Sequence, residues 1–287
     1  ISFSGGMYVI DNTSDGYNYS ITAQLRKQFE SGLYATVAYT FLEAKSNLKS
    51  TEIASVLWSE NPVQGNPNKP ELSFSEFGNR HRITGVVTYR HTWSDMLATS
   101  VGVFFEAAEG NKFAGAGGNR YSFLYSGDVN GDGNGGNDLI YIPKNRNDII
   151  LVTSTGAAAP SSDYDALEAF INQDEYLNSR RGQIAERFGA VNPWFTNIDL
   201  KVLQDISLSF GTIQLSLDVL NVANMLNSNW GVRKVATSTA TSPLKLVDFL
   251  GAGQAPRFTF TGPKQTFVDD PGLNSRWQAQ FGVRYIF

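Results

Sequence analysis

Between Tyr17 and Phe29 the odd positions read Tyr17, Tyr19, Ile21, Ala23, Leu25 and Phe29, broken only by Lys27. The even ones read Asn18, Ser20, Thr22, Gln24, Arg26 and Gln28. Side chains alternate across a strand with period two, so this spacing predicts a strand with one apolar and one polar face. Its length is that of a tilted strand crossing a bilayer, roughly nine to eleven residues. Glu30-Ser31-Gly32 predicts a tight turn, and Leu33, Ala35, Val37, Tyr39 and Phe41 resume the apolar face as the second arm of a hairpin. The pattern returns from His81 through Ile83, Val87 and Tyr89, in Leu97 to Ala107, in Trp194 to Val202 and in Ile213 to Val219. The last eleven residues, Trp277 to Phe287, repeat it with Trp277, Ala279, Phe281, Val283, Tyr285 and Phe287 on one side. Ile1 to Ile10, Trp230 to Ala236 and Arg257 to Thr261 read as further strands, for a count of roughly ten.

Short turns alternate with long interruptions at 46–80 and 108–193, the rhythm of a membrane barrel with short turns on one side and long loops on the other. The second strand face carries Thr22, Gln24, Thr36, Asp199, Lys201, Gln214, Asp218 and Arg284, which are costly in a dry core without partners and suit water or a polar plug. A soluble sandwich would turn this face outward and pack the apolar faces together; strands longer than the usual five or six residues argue for the barrel. A final strand ending on the bare Phe287 is expected to stop at a membrane interface, where aromatic rings are favoured. Counting back from a periplasmic Phe287 puts both long loops outside the cell. The same count places Thr237 to Gly253 in the periplasm despite its length.

Composition narrows the class. Mean hydropathy is -0.22, and no apolar run approaches the roughly 18 residues of a membrane helix, whereas barrel strands are only half apolar. Aromatic residues at 13% and 27 Gly fit a turn-rich all-β chain. With no Cys there is neither disulfide framework nor thiolate site, and a net charge of -4 argues against nucleic acid as a partner. The segment ISFSGGMYVI lacks the charged and apolar regions of a signal peptide, so an exported chain is expected to be a mature fragment.

Six segments in order carry a resemblance: GNRHRITGVVTYR (Gly78 to Arg90), GDVNGDGNGGNDLIYIP (Gly127 to Pro143), NPWFTNIDLKV (Asn192 to Val202), LDVLNVANMLNSNWG (Leu217 to Gly231), FTFTGPKQTF (Phe258 to Phe267) and the terminal strand. Together they resemble the C-terminal barrel region of TonB-dependent outer-membrane receptors, in particular the Oar-like branch with its carboxypeptidase-regulatory-like N-terminal domain. The resemblance implies that residues 1–287 form the last ten or so strands of a 22-stranded antiparallel transmembrane β-barrel. It further implies an N-terminal plug, the remaining strands and the TonB complex as partners, with a surface lipoprotein as a further candidate. The strand Trp277 to Phe287 resembles the terminal signal read by the barrel-assembly machinery. The implied activity is energised transport of a ligand, not enzymatic; a passive porin and a barrel enzyme are the rival readings.

Asp128, Asn130, Asp132 and Asn134 alternate as oxygen ligands, with Gly133 at the sixth position where a calcium loop turns sharply. Leu139 takes the place of the usual bidentate Glu, and Asp138 is the substitute ligand. A Gly/Asn/Asp-rich turn needing no ion fits the same residues, so both readings stay open. Asp163 to Phe188 has helical spacing with Asp163 as a cap, and is expected to be a folded module within a loop. His81 begins a strand beside Arg80 and Arg82 and His91 is expected in the short turn from His91 to Met96, and a catalytic pair is not expected at such tips. Trp93, Trp194, Trp230, Trp277 and Tyr285 suit interfacial girdles.

Overall fold

The computed structural model describes residues 9–49, 52–110, 120–251 and 254–287. Seven long strands pair in chain order as one antiparallel sheet: β1 (Tyr17–Gln28), β2 (Leu33–Ser46), β3 (His81–Ser94), β4 (Leu97–Ala108), β5 (Phe195–Leu208), β6 (Gly211–Leu220) and β7 (Gln278–Ile286). A two-residue strand, Ser73–Phe74, adds to the far end of β2. No helix among the described residues is long and apolar enough to cross a membrane.

The register turns alternation within each strand into one continuous surface. Ile21 pairs with Phe41, Ala35 with Val87, Val87 with Val103, Val103 with Leu200, Leu200 with Val219 and Leu217 with Phe281, so the apolar positions of all seven strands share a face. No second sheet covers that face among the described residues: Ile21, Leu25, Phe281 and Val283 are 66 to 76% exposed. A sandwich would bury them, whereas lipid accepts them where they stand.

Three tight connections lie at one end of the sheet, around Ser31–Gly32, Asp95–Met96 and Ser209–Phe210. Gly32 has φ +86°, and an added Cβ there would meet the Arg90 carbonyl at 2.9 Å, so this turn requires glycine. Three long connections, 47–80, 109–194 and 221–277, lie at the other end.

This corrects the count of ten strands. Residues Lys234–Ala236 and Pro256–Phe260 are strands, but of three and five residues, too short to span, and they pair within the third connection and its neighbours. The described part of this stretch, 237–251, therefore belongs to one long loop on the same side as the other two, and the sidedness conflict disappears. Residues 1–8 of the proposed first strand lie outside the described residues; Val9 and Ile10 are not in a strand.

The hydrophobic core sits in the loops, not in the wall. Phe123, Ile142, Leu151, Phe170 and Leu177 from the second loop pack with Leu244 and Phe258 from the third. A mixed four-stranded sheet has a hairpin of the third loop at its centre, Leu244–Phe249 and Pro256–Phe260, flanked by the second-loop strands Tyr125–Ser126 and Ile150–Leu151. The helical stretch is two helices, α1 (Ser161–Gln173) and α2 (Glu175–Ser179), broken at Asp174. Pro160, not Asp163, stands at the α1 N-cap, while Asp174 caps α2 by accepting from the Leu177 amide at 3.0 Å. Gly182 at φ +77° and Phe188 at φ +52° carry the chain beyond out of helical geometry.

Candidate functional site

The polar face of the wall is a ladder of cross-strand partners. The Thr22 and Thr40 hydroxyls lie 2.9 Å apart, Arg82 donates to Glu106 at 2.7 Å, and Lys201 to Asp218 at 2.6 Å. Arg90 pairs with Asp205 at 2.9 Å, and Gln214 donates to the same carboxylate at 2.9 Å. Partly exposed pairs of this kind contribute about 0–1 kcal/mol each. They define a hydrated lining of both signs more than they hold the sheet together.

Aromatic rings mark both ends of the apolar face. At the loop end Phe41, His81 and Trp194 stack or tilt against one another with centroids 5.3 to 6.2 Å apart, and Tyr39 Oη lies 2.8 Å from His81 Nδ1. At the turn end Tyr89, His91 and Trp93 form a second group, and Tyr285 stacks on Phe287 while its hydroxyl donates to the Phe210 carbonyl. His81 and His91 are ten residues apart on β3. That is about 33 Å along the strand, or about 25 Å across a membrane at a tilt of ~40°, the height of a barrel's apolar band. Trp93, Trp194 and Trp277 thus stand at strand ends, and Trp230 joins Trp277 through Asn224, which touches the main chain of both.

Above the wall the three loops close on one another. The Ser73 hydroxyl donates to the Arg187 carbonyl at 2.7 Å, and the Arg187 guanidinium donates to the Ser46 and Asn47 carbonyls and to Asn61 Oδ1. Burial pushes Arg187 down to about 10, with no carboxylate among the described residues to offset it. The second and third loops meet through Thr266, Gln173 and Asp174. Nothing in the local sequence marks Arg187 or Thr266 for these roles. The third loop did leave a signal, the long segment stranded on the wrong side of the membrane. A cavity of about 310 Å³ opens between the first loop and the segment before β1, lined by Leu48, Leu57, Trp58, Asn61, Val63 and Ile10.

The Asp/Gly loop lies against the first loop, where Asn130 Nδ2 donates to the Gly65 carbonyl at 2.7 Å. Asp128 accepts from the amides of Gly131 at 2.7 Å, Asp132 at 3.1 Å and Gly133 at 2.9 Å, and Asp138 accepts from Val129 at 2.7 Å and Asn130 at 3.3 Å. Asn134 donates from its amide to Asp132 at 2.8 Å. Burial raises the Asp138 carboxyl, opposed by the Val129 and Asn130 amides and reinforced by the charges of Asp132 and Asp128. The five residues belong to one hydrogen-bonded loop, and among the described residues no three His, Cys, Asp or Glu side chains are grouped so as to hold a metal ion.

No curated protein and no solved structure matches the chain. Residues 2–244 match the family described as outer membrane beta barrel domain. That match spans most of the chain and agrees with a wall that is apolar on one face, polar on the other and ringed by aromatic residues at both ends: the chain belongs to the outer membrane beta barrel domain family and resides in the bacterial outer membrane.

Proposed function

We propose that this chain is part of a TonB-dependent outer-membrane receptor that captures a ligand outside the cell and passes it through the wall with energy supplied from the inner membrane. The observation that supports the reading is the loop module: loops from three separate hairpins share contacts, and two of them share one buried core above a wall with a polar lining. A passive pore needs only a wall and an open mouth. A folded module at the mouth suits capture, and the polar lining suits a hydrated plug.

In this reading the seven strands contribute to a larger wall. The outer edges of β1 and β7 have no strand partner among the described residues, and unpaired backbone facing lipid costs several kcal/mol per group. The remaining strands, a plug, the TonB complex and a surface lipoprotein are the partners the reading calls for, with the barrel-assembly machinery acting on Trp277 to Phe287. The reading includes no catalysis: His81 and His91 serve the aromatic rims.

The test uses the parent protein that carries this chain, reconstituted in planar bilayers and separately mixed with the periplasmic domain of TonB. A receptor shows no steady open conductance and binds TonB. A steady conductance with no TonB binding would establish the porin instead.

A further inference from the structure

The third loop leaves the top of β6 on a stretch unlike the rest of it. From Val219 to Val232 there is no charged residue, whereas the remainder of the same loop carries Arg233, Lys234, Lys245, Asp248 and Arg257. Within that stretch α3 (Val222–Leu226) makes one short turn and lies against β5. Met225, Leu226 and Trp230 are exposed, Leu226 at 72%, and so is Leu273 at 68% where the loop returns to β7. Apolar side chains gathered in the open mark a contact surface.

The polar groups of this stretch are spent on its own main chain. Asn221 Nδ2 donates to the Gly231 carbonyl at 2.9 Å, and Asn224 Nδ2 to the Ser228 and Trp230 carbonyls at 3.0 and 2.9 Å. Asn227 Oδ1 accepts from the Asn229 amide at 2.9 Å. The asparagines thus satisfy the turn and leave its apolar side chains exposed. Asn224 Oδ1 also accepts from the Trp277 amide at 3.2 Å, and the Leu273 carbonyl from Gln278 Nε2 at 3.4 Å, so both ends of the loop converge at the top of β7.

We infer that Met225, Leu226, Trp230 and Leu273 form a ledge that dips into the outer leaflet beside the wall, with the boundary between acyl chains and headgroups as its partner. Continuity decides the occupant. Trp277, to which the ledge is tied, keeps the phase of Phe281 and Val283, which stand 67% and 66% exposed on the lipid-facing side of β7. The ledge therefore extends a surface already given to lipid, and its lack of charge matches that environment. Irregular backbone is not tolerated in the hydrocarbon itself, so the contact lies at the boundary, where interfacial segments bury their apolar face about 5–10 Å deep. A ledge held there fixes the height of the third loop and, through the joint at Thr266, of the second. The inference needs only the lipid-facing wall, so it holds for a receptor and for a porin alike.

The parent protein is placed in phosphatidylcholine vesicles with single nitroxide labels at Leu226, at Leu273 and, for comparison, at Ala169, which is exposed on α1. The chain holds no Cys to compete for the label. Oxygen is expected to relax the labels at Leu226 and Leu273 several-fold more strongly than a water-soluble nickel complex does, with the order reversed at Ala169. Native and Trp230→Phe proteins are then compared in vesicles of lipid brominated close to the headgroup. The substitution keeps an apolar ring and is expected to remove part of the bromine-quenched tryptophan fluorescence. The inference is overturned if the nickel complex reaches Leu226 and Leu273 as freely as Ala169, which puts the ledge in water. It is equally overturned if neither agent reaches them, which puts another protein surface on the ledge, or if Trp230→Phe leaves the quenched fluorescence unchanged.

Discussion

Thr266 Oγ1 donates to Asp174 Oδ2 at 2.6 Å, joining two residues buried in different loops and 92 positions apart. Asp174 spends its other oxygen on the Leu177 amide, so one carboxylate both starts α2 and holds the third loop to the second. Gln173 supports the joint by donating to Thr266 Oγ1 at 3.0 Å.

Thr266→Val preserves shape but leaves Asp174 Oδ2 without this donor in a buried place. The loop module is expected to lose about 1–3 kcal/mol, the usual penalty for an unmet buried group. Limited proteolysis should then cut within 161–179 and 254–277 more quickly, while the wall strands remain protected. Unchanged cleavage would show that the two loops are held by apolar packing alone.

Arg187 fastens the module to the top of β2 through the Ser46 and Asn47 carbonyls. Arg187→Met removes both bonds but also removes a cation that burial disfavours, so the loss is expected near the low end of about 1–3 kcal/mol. Hydrogen exchange should rise in 47–61 and stay unchanged in β5 and β6. A loss spread evenly over the sheet would contradict the local role.

Val37 and Val87 lie on the apolar face and are 46% and 44% exposed. Spin labels at these positions in membranes are expected to be relaxed by oxygen and shielded from a water-soluble agent, with the reverse at Thr84 on the other face. Water access at both valines would place the chain in the soluble-sandwich class.

The two faces should also differ in their tolerance of charge. Val103→Arg puts a cation against lipid and is expected to cost about 2–4 kcal/mol near the midplane. Lys201→Ala removes one partner of a partly exposed pair with Asp218 and is expected to cost no more than about 1 kcal/mol. Folding titrations in lipid vesicles measure both; equal costs would remove the distinction between the faces.

The sequence by itself determined the wall. Period-two alternation is a local property, so Tyr17 to Phe29, the hairpin through Gly32 and the terminal strand could be read without knowing their neighbours, and the same pattern assigned each side chain to lipid or water. The turns of the Asp/Gly loop were equally legible, because Asp128 and Asp132 accept from amides only two to five residues on. Tertiary structure decided what happens above the membrane. Short apolar runs such as Phe258 and Phe260 look alike whether they belong to a wall or to a packed module, and only the stacking of Phe258 on Tyr125, with centroids 4.7 Å apart, places them in the module. The joints at Arg187 and Thr266 connect residues from 92 to 141 positions apart, and a buried hydrogen bond of that span leaves no periodic trace in the chain.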